Sequence, residues 1–378
     1  MSSLFDLEPG VLPAEAERLR EEVREFLDAE RASGGFTPMS DSWVFGGDPV
    51  FSRKLAERGW VGMTVPKQYG GPGRSPLERF VVAEELLAAG APISAHWGSD
   101  RQIAPALITH GTKEQQERFL PAIVRGECLF AIGLSEPDSG SDLASVRTKA
   151  TRTEGGWLID GTKIWTSGAH HAHAVLALVR TGPAGDSRHE GLSQMIVELP
   201  GDGVEIRPIR SLNGGHHFNE LVFTSAFVPD ADVLGEIGNG WAQVTGELAW
   251  ERSGPERMLS NAVLLRLYAA RDDADPRAVG RLVARLWSLR QASVAVAVQL
   301  TKGRAPEVAA AMVKDLGTRW EREVIEAARA TSVEPDLTSD DPFARLLGEA
   351  ITASPTNTLR GGTNEILRGV IARALGVR

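Results

Sequence analysis

The sequence predicts a mainly α protein with a β domain at its centre. Three observations carry that reading. The apolar period is helical from about residue 12 to 127, shifts towards two from about 128 to 230, and turns helical again from about 233. The 378 residues are enough for two or three domains around real cores. The expected division is an N-terminal α-helical domain (1–127), a middle antiparallel, β-barrel-like domain (128–232) and a C-terminal α-helical domain resembling a four-helix bundle (233–378).

In LPAEAERLREEVREFLDAE, Leu19, Val23, Phe26 and Leu27 form one apolar stripe between charges. PLERFVVAEELLAAG predicts a second helix, with Pro76 in its first turn and Gly90 as its stop. KEQQERFLPAIVRG adds a short helix, and PKQYGGPGRSP is a loop dense in turn residues. In the middle zone, GGWLIDGTKIW reads as a hairpin turning at Asp160-Gly161. AVLALVR, SQMIVELP, GVEIRPI and NELVFTSAFV read as short strands between Gly, Pro and Asp, as in a sheet or small barrel. Beyond 233, WAQVTGELAWERSGPERMLSNAVLLRLYAA and the Ala/Leu/Val-rich segments near 280–330 read as a bundle, interrupted by VEPDLTSDDP (333–342).

The net charge of −9 argues against nucleic acid as the main partner. The single cysteine, Cys128, excludes an intrachain disulfide and a Cys-rich metal site, and fits a cytoplasmic location. MSSLFDLEPG lacks a signal-peptide pattern, and ASVAVAVQL (292–300) is too short to span a bilayer and reads as a bundle-core helix. Neither GxGxxG after a strand nor GxxxxGK[ST] occurs, so a Rossmann or P-loop site is not expected. HHAH (170–173) invites a metal reading, but no carboxylate or Cys stands at helical spacing beside it, and no metal is expected.

The segment FAIGLSEPDSGSDLASVRTKA, followed by KIWTSGA, carries the chemistry. Ser135, Ser139, Gly140 and Ser141 offer hydroxyls and N–H groups in a turn, suited to a ring edge or a pyrophosphate. Trp165 and Ser167 add an aromatic face and a hydroxyl at a strand end. A surface loop and a core Trp would account for the same residues. Near the C-terminus, Gly361-Gly362 runs into Thr363 and a helical stretch, which reads either as a plain interhelical loop or as a backbone N–H brought close to a ligand.

These motifs together resemble the acyl-CoA dehydrogenase family. The pattern T/S-E-P-x-x-G-S-D followed by N/D-G-x-K-x-W-x-T/S is the family's flavin stretch. VPDADVLGEIGNGW resembles its V-P-x-x-x-x-L-G-x-x-x-x-G entry to the C-terminal bundle, and GGTNEILRGVIARALG resembles its E-G-T-x-x-I-x-R ending. The resemblance runs from about residue 60 to 378 and implies the acyl-CoA dehydrogenase fold and FAD. It implies flavin contacts at Ile132, Gly133, Leu134, Ser135, Ser141, Trp165, Thr166, Ser167, Thr363 and Glu365, and substrate contacts at Ser141 and Arg252.

The implied reaction is α,β-desaturation of an acyl-CoA thioester, with the β-hydride going to flavin N5 and electrons passing on to an electron-transfer flavoprotein. It needs a carboxylate base and hydrogen-bond donors on the thioester oxygen. The common tail Glu is replaced here by Gly361, which keeps the N–H donor and gives up the carboxylate. Isovaleryl-CoA dehydrogenases place the base before an Arg in the first helix of the C-terminal domain. LAWERSGPER carries Glu251 before Arg252 there, so Glu251 is the expected base and Glu247 the alternative.

The R-x-x-F-G pattern that touches a neighbour's FAD survives only as Arg277 in DPRAVG, and Q-x-x-G-G has no counterpart. The resemblance implies a homodimer or homotetramer, and the degraded neighbour-facing motifs raise the alternative of one half of an α2β2 heterotetramer. An oxygen-using flavoprotein, a non-catalytic partner subunit and a carrier-protein thioester are competing readings.

Overall fold

The computed structural model describes residues 7–304 and 306–377, and only the backbone for 247–251. The described helices are α1 (Ala14–Ala32), α2 (Ser42–Phe45), α3 (Pro49–Glu57), α4 (Pro76–Ala88), α5 (Ser94–Gly98), α6 (Ala104–His110), α7 (Lys113–Val124), α8 (Gly240–Arg252), α9 (Ala262–Ala269), α10 (Pro276–Thr301), α11 (Glu307–Arg329), α12 (Pro342–Asn357) and α13 (Asn364–Ala374). The strands are β1 (Phe130–Gly133), β2 (Lys149–Thr153), β3 (Gly156–Lys163), β4 (Ala174–Arg180), β5 (Leu192–Glu198), β6 (Val204–Arg210), β7 (His216–Pro229) and β8 (Val233–Leu234). They form two compact units. One comprises the chain up to Gly47, Arg74–Ile93 and the chain from Leu248 on; the other comprises Asp48–Gly73 and Ser94–Glu247.

The helical unit follows its sequence signals. The stripe Leu19, Val23, Phe26 and Leu27 on α1 is buried, worth roughly 1.5–3 kcal/mol per side chain. Ser75 and Glu78 close a reciprocal capping box at the start of α4, Pro76 occupies its first position, and Gly90 leaves it with φ 66°. Ala16 of α1, Phe80 and Val81 of α4, and Val294 and Ala297 of α10 share one core, so ASVAVAVQL is an interior helix segment as expected. Gly317 allows α11 to approach the chain at Arg257: a Cβ there would lie 2.2 Å from the Arg257 carbonyl oxygen.

The other unit is built on one sheet with order β6-β7-β3-β2-β4-β5-β8, and β1 also pairs with β4. Residues from β3, β4, β5 and β7, among them Ile159, Val175, Met195 and Phe223, fill a single core, while α6 and α7 cover Phe130, Leu176 and Ile196. β4 is therefore buried on both faces, as its unbroken apolar run requires.

Two expectations for this sheet are corrected. It is an open, mixed sheet rather than an antiparallel barrel: β1 and β2 both pair parallel with β4, and the terminal strands β6 and β8 do not pair with each other. Alternation along a strand reports which face is buried and says nothing of its neighbour's direction. The hairpin does not turn at Asp160-Gly161 either. β3 runs through both residues, and the turn lies between β2 and β3 at Glu154-Gly155, where Gly155 has φ 73°. Gly161 instead sits inside β3 beside a bulge of β7, where the single residue Asp160 faces both Thr224 and Ser225; it has φ 147°, and a Cβ there would lie 2.6 Å from Thr148 Oγ1.

Candidate functional site

The flavin-side candidates gather where β1 and β3 end. β1 delivers Ile132, Gly133, Leu134 and Ser135 beside the last residues of β3. Gly133 is buried, and a Cβ there would lie 3.1 Å from Val175 and 3.4 Å from Lys163. The Ile164 N–H donates to Ser135 O (2.9 Å).

A buried ion pair locks this junction. Lys163 Nζ donates to Glu136 Oε1 (2.8 Å) and to Leu134 O (3.1 Å), with the lysine side chain fully buried. Glu136 also accepts from the N–H groups of Arg147 (2.7 Å) and Thr148 (2.9 Å). Burial would raise the Glu136 carboxyl, but the Lys163 charge and these hydrogen bonds outweigh it and lower its pKa. Burial pulls Lys163 down to about 8 against the opposing pull of Glu136. Glu136 and Ser139 exchange backbone hydrogen bonds, closing the turn before Ser141, which is exposed.

Past β3, Trp165 is held at φ 61°, unusual for a bulky residue, and is 55% exposed. Thr166 is fully buried, and its Oγ1 finds no hydrogen-bond partner among the described residues. Ser167 is exposed. Asn219 of β7 pairs with Thr166 through the backbone in both directions (2.9 and 3.1 Å). An exposed indole at a strained backbone position thus stands next in the chain to a buried hydroxyl that no described group answers.

The tail candidates lie in the helical unit. Gly361 and Gly362 have φ of 68° and 84°, two consecutive left-handed residues that glycine adopts freely. Thr363 caps α13, its hydroxyl accepting from the Ile366 N–H (3.3 Å). Among the described residues nothing accepts the Gly361 N–H. Glu365 is exposed on the first turn of α13.

The turn is anchored from both sides. Arg360 donates to both Asp41 carboxylate oxygens (2.6 and 2.7 Å) and lies 4.5 Å over the Trp43 ring. Buried Lys314 Nζ donates to Gly362 O (2.7 Å), Asn364 Oδ1 (2.8 Å) and Thr358 O (3.3 Å). Arg252 is also brought to this turn: a Cβ on Gly362 would lie 3.2 Å from its Nη2.

Glu251 and Glu247 lie on α8, but their side chains fall outside the described residues. Arg277 is exposed on the first turn of α10, where its N–H donates to the capping Asp275. Sequence reasoning missed Glu136, Lys163, Asn219, Asp41, Arg360 and Lys314 as anchors. Glu136 and Lys163 stood inside the quoted motifs, but the other charges between them, Asp138, Arg147 and Asp160 among them, left no signal that these two would pair. Asp41 and Arg360 lie too far apart in sequence to signal each other.

The family models for the acyl-CoA dehydrogenase N-terminal, middle and C-terminal domains match residues 13–127, 131–226 and 269–376. The chain belongs to the acyl-CoA dehydrogenase family, whose enzymes are FAD-dependent oxidoreductases. It is 36% identical over 383 residues to the acyl-CoA dehydrogenase IpdE1 of Mycobacterium tuberculosis, covering 96% of this chain and 98% of that protein. It is 34% identical over 335 residues to the acyl-CoA dehydrogenase FadE34 of the same organism; the match takes in 85% of this chain and 45% of that longer protein. Among solved structures it resembles the Tcur3481-Tcur3483 steroid ACAD, with TM-score 0.82, 30% identity and 97% of each chain covered. The ChsE4-ChsE5 complex of M. tuberculosis gives TM-score 0.81 at 27% identity, covering 97% of this chain and 98% of that one.

The residues present fit FAD on the evidence of Thr166 and Trp165: a buried hydroxyl in need of a partner stands next to an exposed aromatic face. Among the described residues no helix is long and apolar enough to cross a membrane.

Proposed function

We propose that the protein desaturates an acyl-CoA thioester between Cα and Cβ, with Glu251 as the base. The observation that carries this reading is the tail turn, whose left-handed Gly361 offers an unclaimed N–H among the described residues and carries no side chain. That N–H donates to the thioester oxygen and stabilises the charge that develops as the α-proton leaves. Glu251, beside Arg252 at the end of α8, takes that proton. Bound FAD supplies the two-electron acceptor for the β-hydride. Ile132, Gly133, Leu134, Ser135, Ser141, Trp165, Thr166, Ser167, Thr363, Glu365 and Arg277 are the proposed cofactor contacts, and Ser141 and Arg252 also meet substrate. Trp165 would supply an aromatic face for the cofactor, and Thr166 and Ser167 would supply hydroxyls to hold it.

The acyl group is proposed to be bulky and ring-bearing, with an electron-transfer flavoprotein as acceptor. Likeness to a steroid ACAD supports the first part. A second reading, one half of a heteromeric enzyme, is favoured by likeness to two structures named as pairs of different chains.

Anaerobic mixing of the holoenzyme with ring-bearing and straight-chain acyl-CoA thioesters tests the assignment. Glu251→Gln is expected to retain FAD and lower the rate of flavin bleaching by at least about a thousandfold, the general-base contribution plus the loss of a positioned charge. Bleaching at the wild-type rate would exclude Glu251.

A further inference from the structure

The HHAH motif (170–173), left without a role, meets the start of β7, His216 to Asn219, at the Trp165 turn. We propose that Asn219 is a positioning residue, gripped by His170 and His216, that holds the Trp165–Ser167 segment in its flavin-facing conformation. The inference rests on the reading of that segment as the flavin contact.

Asn219 is fully buried, and its carboxamide is committed on every side. Nδ2 donates to Thr166 O (3.0 Å) and to His170 Nδ1 (3.0 Å). Oδ1 faces His216 Nε2 at 2.8 Å. A carbonyl oxygen only accepts, so Thr166 O sets the orientation of the amide. The two histidine tautomers then follow: His170 presents a bare Nδ1, and His216 carries its proton on Nε2. The rings of His170 and His216 stack at 3.9 Å, with His171 4.0 Å from His170. Burial, then the neighbouring His171 and His216, lowers His170 to about 4, which keeps it neutral and its Nδ1 free to accept at ordinary pH.

This clamp explains how Trp165 keeps a left-handed backbone. The chain is tied immediately before it, by the Ile164 N–H to Ser135 O (2.9 Å), and after it, by the Thr166 and Gly168 N–H groups to Asn219 O and His217 O (2.9 Å each). Phe218, next to Asn219, meets the indole edge-on at 5.8 Å. Asn219 therefore joins the backbone brace and the side-chain brace in one residue. With the amide altered, the Thr166 carbonyl loses one of its two donors, and the strained residue is free to relax.

The test uses the holoenzyme and two variants. Asn219→Asp keeps the size of the side chain but sets an oxygen against Thr166 O; His170→Phe keeps the ring stack and removes the Nδ1 acceptor. Release of FAD on dilution, followed by recovery of free flavin fluorescence, is expected to quicken about tenfold in Asn219→Asp, and a fewfold in His170→Phe, as loss of one or two hydrogen bonds would give. The visible flavin band is expected to move in both variants, a change that a loss of general stability would not produce. Wild-type release and an unmoved band in both variants would overturn the proposal. So would a lowered melting temperature in Asn219→Asp with an unmoved band. If Asn219→Asp does not fold, His170→Phe decides alone in the same terms. A wild-type chain that retains no FAD would overturn the flavin reading itself, a result distinct from variants that behave as wild type.

Discussion

Replacing Lys163 with Met tests how the junction of β1 and β3 is held. The methionine fills nearly the same space, so the loss is the ammonium group. Glu136 would then keep only the Arg147 and Thr148 N–H donors, with its side chain 8% exposed. Removing one partner of a buried pair costs about 3–5 kcal/mol. The two remaining N–H bonds hold the loss near the lower end, and the orphaned Leu134 carbonyl adds about 1 kcal/mol. The expected loss is about 3–4 kcal/mol, read as a shift of the urea midpoint followed by far-UV circular dichroism. Adding Glu136→Gln removes the unpaired charge and is expected to recover at least about 1.5 kcal/mol.

A pH signature accompanies the pair. The folded pKa of Lys163, about 8, lies below the ordinary lysine value of 10.5. Between those values the unfolded chain binds the proton more readily, so this group's contribution to stability rises with pH across that window. The shift corresponds to about 3 kcal/mol at 1.36 kcal/mol per unit, and Lys163→Met is expected to abolish the slope. An unchanged midpoint in Lys163→Met, or strict additivity with Glu136→Gln, would refute the account.

Two further outcomes are expected. Gly362→Ala places a side chain at φ 84° and presses on Arg252, so the stability read from urea unfolding should fall by about 1–2 kcal/mol with FAD content unchanged; wild-type stability would contradict the left-handed turn. Burial raises Glu321 on α11 to about 8, against the hydrogen bonds from Asn261 and Ser260. Its contribution is fully present below about 4.5, the ordinary value, and is lost as pH rises through about 8. Glu321→Gln should therefore flatten the pH dependence of the melting temperature in that window.

The sequence by itself determined the order helices, strands, helices, because burial of one face imposes a period of 3.6 or 2 on the residues along the chain. It also permitted a left-handed turn at Gly361-Gly362, since glycine accepts positive φ without strain. The motif residues of the flavin segment could be named for a related reason: they cluster within short stretches. Only the tertiary structure decided what lies beside what. The parallel pairing of β1 with β4 leaves no mark on either strand's alternation. Asp160-Gly161 carries the composition of a tight turn, but pairing with β2 and β7 keeps both residues inside β3. Asp41 meets Arg360 across more than three hundred residues of chain, and HFNE meets WTSGAHH only because β7 lies beside β3. Pairing across such distances is decided by how buried polar groups find partners once the core has formed, and no local pattern records it.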